Sequence, residues 1–411
     1  MHAKLQQPKL NAKFICISHR IFLILCNKYI AMRYFIIAGE ASGDIHGAAL
    51  IDAIKQHDSD AQVEFLGGDL MAQSTGQAPL IHYRDMAFMG FIEVFKHLVS
   101  ILGFMKRAKK AMTANRPDAL ILIDYPSFNL KMAKWAYGKN IPVYYFISPK
   151  VWAWKEYRVK DIKRYVKRMF SILPFETDFY RKHDYEVEYV GNPTVKEIEL
   201  AITTMRPESQ FRQDNDLDPK KPIIAIVPGS REKEIRDNLP TMLAAALDHS
   251  DCQPVVAGAP SIDNDIYDKV MTKFQVPVLH EQTFELVHNA RVALVTSGTA
   301  TLETALLGTP QVACYRMNGS EQLYKFYSRL IKGKYVTLPN LITNELIIPE
   351  LLLHMCTVES VDSWLNKLLD DSDERHNMLE DYQRMAAILT NKDCATTTAQ
   401  HIIEELNESK R

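Results

Sequence analysis

A carboxylate and an arginine each follow closely on an apolar run of strand length, and both could take part in group transfer. Asp124 comes directly after residues 119–123, and a carboxylate at the carboxyl end of a buried strand is a candidate general base. Capping of the following helix is the alternative for an Asp at this position. Arg231 closes the turn 228–231, whose N–H groups and guanidinium together suit a diphosphate. A surface arginine beside a helix cap is the alternative there.

A second anion-binding turn is predicted after residues 291–295. It combines hydroxyl and N–H donors at the start of a helical pattern, where anions are favoured. Glu303 follows about one helical turn later and could bind both hydroxyls of a ribose, although support of the first helical turn is the alternative. The predicted nucleotide-binding residues are Gly229, Ser230, Arg231, Ser297, Gly298, Thr299 and Glu303.

The turn 39–47 follows the apolar run 34–38 and contains Ser42. Its glycine spacing differs from GxGxxG, which disfavours dinucleotide binding. Its two carboxylates, Glu40 and Asp44, would repel a diphosphate. We therefore expect this turn to face an acceptor and the reacting centre, with Ser42 close to the donor phosphate.

Two segments combine large apolar or aromatic residues with many cations. Residues 88–105 are rich in apolar side chains and lead into the basic stretch 106–110, and residues 150–168 contain two tryptophans and eight Lys or Arg residues. The ordinary interpretation is a core helix for the first segment and a solvated helix face for the second. The alternative is a surface that receives acyl chains and contacts an anionic membrane through 88–110 and 150–168.

Parallel β-sheets are the elements expected to position these turns. Apolar runs alternate with helical patterns along the chain, which predicts parallel sheets covered on both faces. The pattern pauses around 191–221, which places a domain junction near 193–220. We therefore predict two similar α/β halves that face a central cleft, where small-molecule sites tend to lie. The predicted strands are 34–38, 63–66, 119–123, 142–147, 169–173, 223–227, 254–257, 291–295 and 310–314.

Length, charge and cysteine use exclude several classes of protein. A chain of 411 residues is too long for one ordinary domain. The formal net charge of -1 gives no general attraction to nucleic acid, so no nucleic-acid partner is predicted. The six cysteines are scattered without a CxxC pair, and the histidines form no ligand pair, so we predict a reducing compartment and no metal site.

Taken in order from Met32 to near the C-terminus, a set of separate motifs resembles those of lipid-A-disaccharide synthases. The agreement of so many motifs makes the resemblance specific. The motifs are GEASGD at 39–44, MGFIEV at 89–94, IDYP at 123–126, SPKVWAW at 148–154, LPFE at 173–176, PGSR at 228–231, SGTATLE at 297–303 and LPNL at 338–341.

The resemblance implies a GT-B fold, in which two Rossmann-like domains with parallel sheets face a central cleft. It implies transfer of 2,3-diacylglucosamine from UDP to 2,3-diacylglucosamine 1-phosphate, with inversion, to give a β-1,6-linked lipid A disaccharide 1-phosphate. The UDP-sugar is then a substrate, and no metal or other cofactor is required. The resemblance further implies a cytoplasmic enzyme, peripheral on the inner membrane of a Gram-negative bacterium, and it leaves a homodimer open.

Domain limits follow from the patterning together with the resemblance. Residues 1–31 match nothing in the family, and we expect them to form an extra, poorly ordered N-terminal segment. Residues 32–195 are predicted to form the acceptor and membrane-facing domain, and residues 196–380 the UDP-sugar donor domain. For the C-terminal helices, 380–411, packing back on the first domain is one arrangement left open.

Site roles are carried over by matching positions. The resemblance gives Asp124 the catalytic role and makes Glu303 the donor-site glutamate. It marks three further residues as important for activity, namely Ser42, Arg231 and Asn340.

The chain departs from the family pattern at two places. Ser127 stands where a second carboxylate is common, and residues 191–193 replace a histidine-containing turn of some relatives. Asp124 is therefore the carboxylate expected to accept the proton, with Asp44 and Glu40 as the next candidates.

Three alternatives stay open at this point. Another UDP-sugar enzyme of the GT-B type, such as a lipid II-type N-acetylglucosaminyltransferase or a UDP-sugar epimerase, would share the fold and the donor site. An NAD-dependent oxidoreductase is disfavoured by the missing GxGxxG. A non-catalytic nucleotide- or lipid-binding protein is disfavoured because Asp124, Arg231 and Glu303 are all present.

Overall fold

Two β-sheets form the framework of the protein, and a computed structural model describes them over residues 31–86, 98–260, 262–296, 298–316, 335–389 and 392–410. The strands are β1 Arg33–Ala38, β2 Gln62–Gly67, β3 Ile81–His82, β4 Ala119–Ile123, β5 Val143–Phe146, β6 Arg168–Ser171, β7 Glu188–Tyr189, β8 Ile223–Val227, β9 Gln253–Gly258, β10 Val278–His280, β11 Val292–Val295, β12 Gln311–Tyr315 and β13 Glu350–Leu352.

Helices follow most strands and provide the crossovers that parallel pairing requires. Their bounds are Ala41–His57, Asp69–Thr75, Tyr83–Met86, Leu98–Ala114, Pro126–Tyr137, Val151–Trp154, Val159–Tyr165, Phe175–Arg181, Pro193–Thr204, Glu208–Asp214, Glu232–Leu247, Asn264–Val270, Thr283–His288, Thr299–Leu306, Leu338–Thr343, Val358–Leu369, Asp373–Ile388 and Cys394–Ser409, with 3-10 turns at Glu156–Arg158 and Leu353–Met355.

The first sheet has seven strands in the order β3-β2-β1-β4-β5-β6-β7, and the second has six in the order β10-β9-β8-β11-β12-β13. The strand pairs with a defined register are parallel in both sheets. This confirms the predicted α/β class with two parallel-sheet domains.

Both faces of the second sheet are buried, as a parallel sheet requires. Alternate residues of β8 pack into different clusters: Ile224 and Ile226 contribute to one, and Ile223 and Ala225 to the other. The apolar run 223–227 therefore has no polar face, which is why it shows no period-2 alternation in the sequence.

By their internal contacts, the residues group into two compact units. The first unit is Met1–Ile121 together with Ile402–Arg411, and the second unit is Leu122–His401. The limits predicted from patterning, 32–195 and 196–380, stay a prediction. The predicted extra segment 1–31 lies, except for its last residue, outside the described residues. Among the helices of the described ranges, none has both the length and the apolar character needed to cross a bilayer.

The first unit includes the end of the last described helix, and a charged contact holds it. Lys410 Nζ lies 2.9 Å from Asp118 Oδ1. The other oxygen of Asp118 accepts the N–H of Arg33, at the start of β1, at 2.8 Å. Three side chains near the end of this helix, Ile402, Ile403 and Leu406, are buried.

Candidate active site

The two predicted anion-binding turns follow the carboxyl ends of two neighbouring strands in the middle of the second sheet. Val227, the last residue of β8, pairs in parallel with Val295, the last residue of β11. The N–H of Thr296 donates to the carbonyl of Val227 at 2.8 Å, which fixes the start of one turn against the start of the other. The structure therefore brings 228–231 and 298–299 together, while Ser297 lies outside the described residues.

Two glycines make these turns possible. Gly229 has a φ of 116°, and a Cβ at this position would lie 2.6 Å from Glu234 Oε2. Gly298 has a φ of 125° and a ψ of -152°, a backbone conformation that is essentially restricted to glycine. Both glycines are therefore required by backbone geometry, whatever the turns bind.

The groups predicted to bind a diphosphate already contact a carboxylate. Arg231 Nη1 donates to Glu234 Oε1 at 2.6 Å, and the N–H of Ser230 donates to Glu234 Oε2 at 3.1 Å. Glu234 is the third residue of the helix that begins at Glu232, so its side chain reaches back over the turn. Sequence reasoning missed Glu234, although a carboxylate three residues after the N-cap, Arg231, is the signal of such a contact.

Glu303 lines a cavity of about 550 Å³ in the second unit. Burial raises the pKa of its carboxyl to about 7, and the nearby charge of Glu197 adds to this effect. The rest of the lining comes from the loop and helix start that follow β10, and from the end of the helix Pro193–Thr204. The lining residues are Ala201, Thr204, Met205, Glu281, Gln282, Thr283, Phe284, Glu285 and Glu303.

The segment 281–285, a short loop and the start of the helix Thr283–His288, was missed by sequence reasoning, because a short polar segment after a three-residue strand shows no motif. Its first residue, Glu281, has a φ of 57°, which is uncommon for a non-glycine residue. Thr299 is exposed at the first position of the helix that carries Glu303. The helix Thr299–Leu306 thus links the turn to the cavity.

Asp124 lies in a strained turn at the carboxyl end of β4. Asp124 and Tyr125 have φ values of 41° and 45°, in the left-handed region that non-glycine residues rarely adopt. Tyr125 precedes Pro126, and a residue before proline ordinarily has extended backbone. Ile147, the residue directly after the neighbouring strand β5, has a φ of 64°, an outlier for a β-branched residue. Backbone strain of this kind is concentrated at functional sites.

Two buried side chains hold the Asp124 backbone in this conformation. The hydroxyl of Tyr145 donates to the carbonyl of Asp124 at 2.5 Å, and Asn129 Nδ2 donates to the same carbonyl at 2.7 Å. Burial raises the pKa of Tyr145 well above its usual value, so its hydroxyl remains a donor. The carboxylate is half-buried, which suits a group that must reach a substrate hydroxyl.

Ser42 and Asp44 lie on the first helix of the first unit and differ in exposure. Ser42 is exposed, in the first turn of the helix Ala41–His57. The carboxylate of Asp44 is buried and accepts three backbone N–H groups at the start of the helix Asp69–Thr75, from Gly68 at 2.6 Å, Leu70 at 3.1 Å and Met71 at 3.2 Å. Asp44 is therefore a helix cap and a poor substitute base, which removes one of the alternatives to Asp124.

Asn340 is fully buried, and its amide uses all of its hydrogen-bonding capacity inside the protein. Its Oδ1 accepts the N–H groups of Ile347 and Ile348 at 2.8 and 2.9 Å. Its Nδ2 donates to the carbonyl of Ile348 at 3.0 Å and to Glu350 Oε1 at 2.9 Å. These contacts tie Asn340 to the segment 347–350, and the predicted catalytic role stays a prediction.

A buried carboxyl group joins two of the quoted motifs. Trp152 Nε1 donates to Glu176 Oε1 at 2.9 Å, and Ser171 Oγ makes a short contact with Glu176 Oε2. Glu176 is buried, and burial raises its pKa to about 8. The motifs SPKVWAW and LPFE therefore meet through one neutral carboxyl group.

The cation-rich segment 150–168 is divided among several short elements. The segment contains a short helix, Val151–Trp154, a 3-10 turn, Glu156–Arg158, a second helix, Val159–Tyr165, and the start of β6. The first helix ends at its C-cap residue Lys155, whose φ of -129° and ψ of 50° are not helical. Arg158 donates to Ser127 Oγ at 2.9 Å, and Arg168 forms a salt bridge with Glu188 at 2.6 Å, so these two cations have partners inside the protein.

Similarity to solved structures defines the fold class. The S. aureus MnaA–UDP co-structure matches with a TM-score of 0.62 at 12% identity, over 92% of this chain and 97% of that chain. The glycotransferase of kitacinnamycin matches with a TM-score of 0.57 at 12% identity, over 92% and 99%. At this identity the similarity shows the fold alone, which is the GT-B arrangement of two parallel-sheet α/β domains.

Similarity in sequence defines the family. The lipid-A-disaccharide synthase of Acidobacterium capsulatum is 36% identical over 377 residues, covering 88% of this chain and 92% of the relative. That of Koribacter versatilis is 34% identical over 381 residues, covering 90% and 98%. The family model described as Lipid-A-disaccharide synthetase matches residues 34–403. The chain belongs to this family of glycosyltransferases, which confirms the resemblance inferred from the motifs.

Proposed function

We propose that the chain transfers a 2,3-diacylglucosaminyl group from UDP to the 6-hydroxyl of 2,3-diacylglucosamine 1-phosphate, which forms a β-1,6-linked disaccharide and releases UDP. The observation that carries this proposal is the pairing of β8 with β11, because it places two glycine turns at the carboxyl ends of neighbouring strands, beside the helix of Glu303. No metal or other cofactor is assigned a step, and its dispensability stays a prediction.

In this proposal the donor binds to the turns and the cavity beside the second sheet. Arg231 and the N–H groups of the turn 228–231 bind the diphosphate and stabilise the charge that grows on departing UDP. The cavity that contains Glu303 is the nucleoside site, with the carboxylate as acceptor for the ribose hydroxyls. The raised pKa of Glu303 means that its protonated fraction is substantial near neutral pH, so a gain in donor affinity is expected as pH rises through about 7.

Asp124 is the general base in this proposal. It accepts the proton of the acceptor 6-hydroxyl while that oxygen forms a bond to C1 of the donor sugar and the bond from C1 to the diphosphate oxygen breaks. One displacement inverts the anomeric configuration. The strained and doubly hydrogen-bonded backbone of Asp124 supports this role, because it fixes the backbone that carries the carboxylate before substrate binds.

The lipid chains and the membrane are assigned to the segments 88–110 and 150–168. Residues 88–97 lie outside the described residues. In the helix Leu98–Ala114, Val99 and Leu102 are 82% and 54% exposed, and Lys106 and Lys110 are exposed on the turns that follow. Exposed apolar residues beside cations are typical of segments that bind anionic membranes, which supports a cytoplasmic enzyme that is peripheral on the inner membrane.

Release of UDP from UDP-2,3-diacylglucosamine tests the proposal. We expect release only after diacylglucosamine 1-phosphate is added, whereas an epimerase would act on the UDP-sugar alone. Asp124→Asn should lower kcat by about 10²- to 10⁴-fold with little change in UDP affinity, since it removes a proton acceptor. Asp370→Asn, at an exposed helix end, is the matched control. Near-full turnover of Asp124→Asn would exclude Asp124 as the base.

A further inference from the structure

We propose that Glu234 is an internal counter-anion that competes with the donor diphosphate for Arg231 and the Ser230 N–H, so that Glu234 must leave these groups when the donor binds and can return to them when UDP departs. The inference rests on the proposed function, because it requires the diphosphate to bind at the turn 228–231. It adds Glu234 as a residue that sets the affinity for substrate and product.

The contacts of Glu234 are those expected of a bound anion. Its two oxygens contact two different donors, the guanidinium of Arg231 at 2.6 Å and the backbone N–H of Ser230 at 3.1 Å. These are a cation and a turn N–H, the combination that favours a diphosphate. The carboxylate therefore occupies the position at which the turn was predicted to bind phosphate oxygens.

The carboxylate and a phosphate cannot share this turn. Glu234 Oε2 would lie 2.6 Å from a Cβ on Gly229, so the side chain fills the space beside the turn backbone. The single N–H of Ser230 can be fully donated to one acceptor at a time. Two anions held side by side on one guanidinium would also repel each other, so binding of one favours departure of the other.

Displacement of Glu234 is accessible on energetic grounds. The Arg231 side chain is 66% exposed and that of Glu234 is 17% exposed. Glu234 is mostly buried, but the guanidinium of Arg231 is open to solvent, which screens the pair and keeps its contribution small. A diphosphate carries more charge than a carboxylate and can replace it at modest cost.

A role of Glu234 that only supports Arg231 predicts the opposite change in UDP affinity when the charge of Glu234 is removed. If Glu234 only held Arg231 ready for the donor, removal of its charge would weaken UDP binding. If Glu234 competes, the same change strengthens UDP binding. The direction of the change in affinity therefore decides between the two roles.

The test measures UDP binding to the full chain by isothermal titration calorimetry. Glu234→Gln should lower the Kd for UDP by about two- to fivefold, the range that the coupling of a solvent-screened ion pair allows. Glu234→Ala should shift it in the same direction. Binding of uridine, which lacks the diphosphate, should stay unchanged. An unchanged or higher Kd for UDP in both variants would overturn the proposal.

Two further variants separate this inference from the proposed function. Glu232→Gln removes the same charge from the same helical turn, where the carboxylate contacts Arg236 at 2.7 Å, and it should leave UDP binding unchanged. Arg231→Ala should weaken UDP binding strongly. If Arg231→Ala binds UDP normally, the diphosphate site itself is misplaced. If it binds weakly while Glu234→Gln shows no gain, only the competition is refuted.

Discussion

Replacement of Glu176 by glutamine should abolish one pH-dependent part of the protein's stability. Ser171 Oγ has one proton, and it lies 2.9 Å from the carbonyl of Leu173, which can accept it. The same oxygen accepts the N–H of Leu173 at 3.0 Å. A protonated Glu176 then donates to Ser171 Oγ and accepts from Trp152, which satisfies every group. Glutamine keeps a donor for Ser171 and an acceptor for Trp152 without an ionisable group, although its amide carries one more N–H than the neutral acid.

The magnitude follows from the raised pKa. Burial raises the pKa of Glu176 from 4.5 to about 8, so between these values the folded protein holds one proton more than the unfolded chain. Stability from this group is fully present below about pH 4.5 and is lost as pH rises through about 8. Between about pH 6.5 and about pH 8.5, the parent should lose about 2 kcal/mol of unfolding free energy through this group.

Urea denaturation of the parent and Glu176→Gln at both pH values provides the assay. The difference between the two proteins removes the contributions of other titrating groups, such as Glu303. We expect Glu176→Gln to be the more stable protein at about pH 8.5 and to lose about 2 kcal/mol less on going from about pH 6.5. Parallel pH dependences would refute the reasoning, because Glu176 would then be titrating alike in the folded and unfolded states.

Two other substitutions test the structural assignments. Asn340→Ala should lower the unfolding free energy by about 3 kcal/mol, because buried backbone groups lose their partners. The control, Asn366→Ala on an exposed helix face, should change it by under about 0.5 kcal/mol. Full stability of Asn340→Ala with lost activity would instead support direct contact of Asn340 with substrate. Glu285→Gln should destabilise the protein near neutral pH, because hydrogen bonds from Arg206 lower the pKa of Glu285. That loss should vanish as pH falls through the lowered pKa of Glu285, and a loss that persists in acid would contradict the ion-pair explanation.

The sequence was sufficient to find the inner strands of both sheets. Each predicted apolar run is a strand, because a strand buried on both faces must be apolar throughout its length. The strands that were missed are two or three residues long and lie at the edges of the sheets, where half-buried residues leave no pattern. They are β3, β7, β10 and β13.

The predicted site was located by its turns, and its supporting contacts were not predictable. The turns that follow apolar runs placed Arg231 and Asp124 near the carboxyl ends of strands. The contact of Asp44 with the helix at 69–75 depends on how two helices pack, which one motif cannot reveal. The neutral state of Glu176 likewise depends on burial, which gives the same residue type a different charge.

The end of the helix Cys394–Ser409 has a consequence for the order of events during synthesis. Domains generally fold from the N-terminus as they leave the ribosome. Here the unit that contains β1 also contains residues 402–411, which are translated long after it. The salt bridge from Lys410 to Asp118 and the burial of Leu406 cannot form until then. The nascent first unit therefore stays incomplete, with part of its apolar surface uncovered, until the end of the chain has left the ribosome.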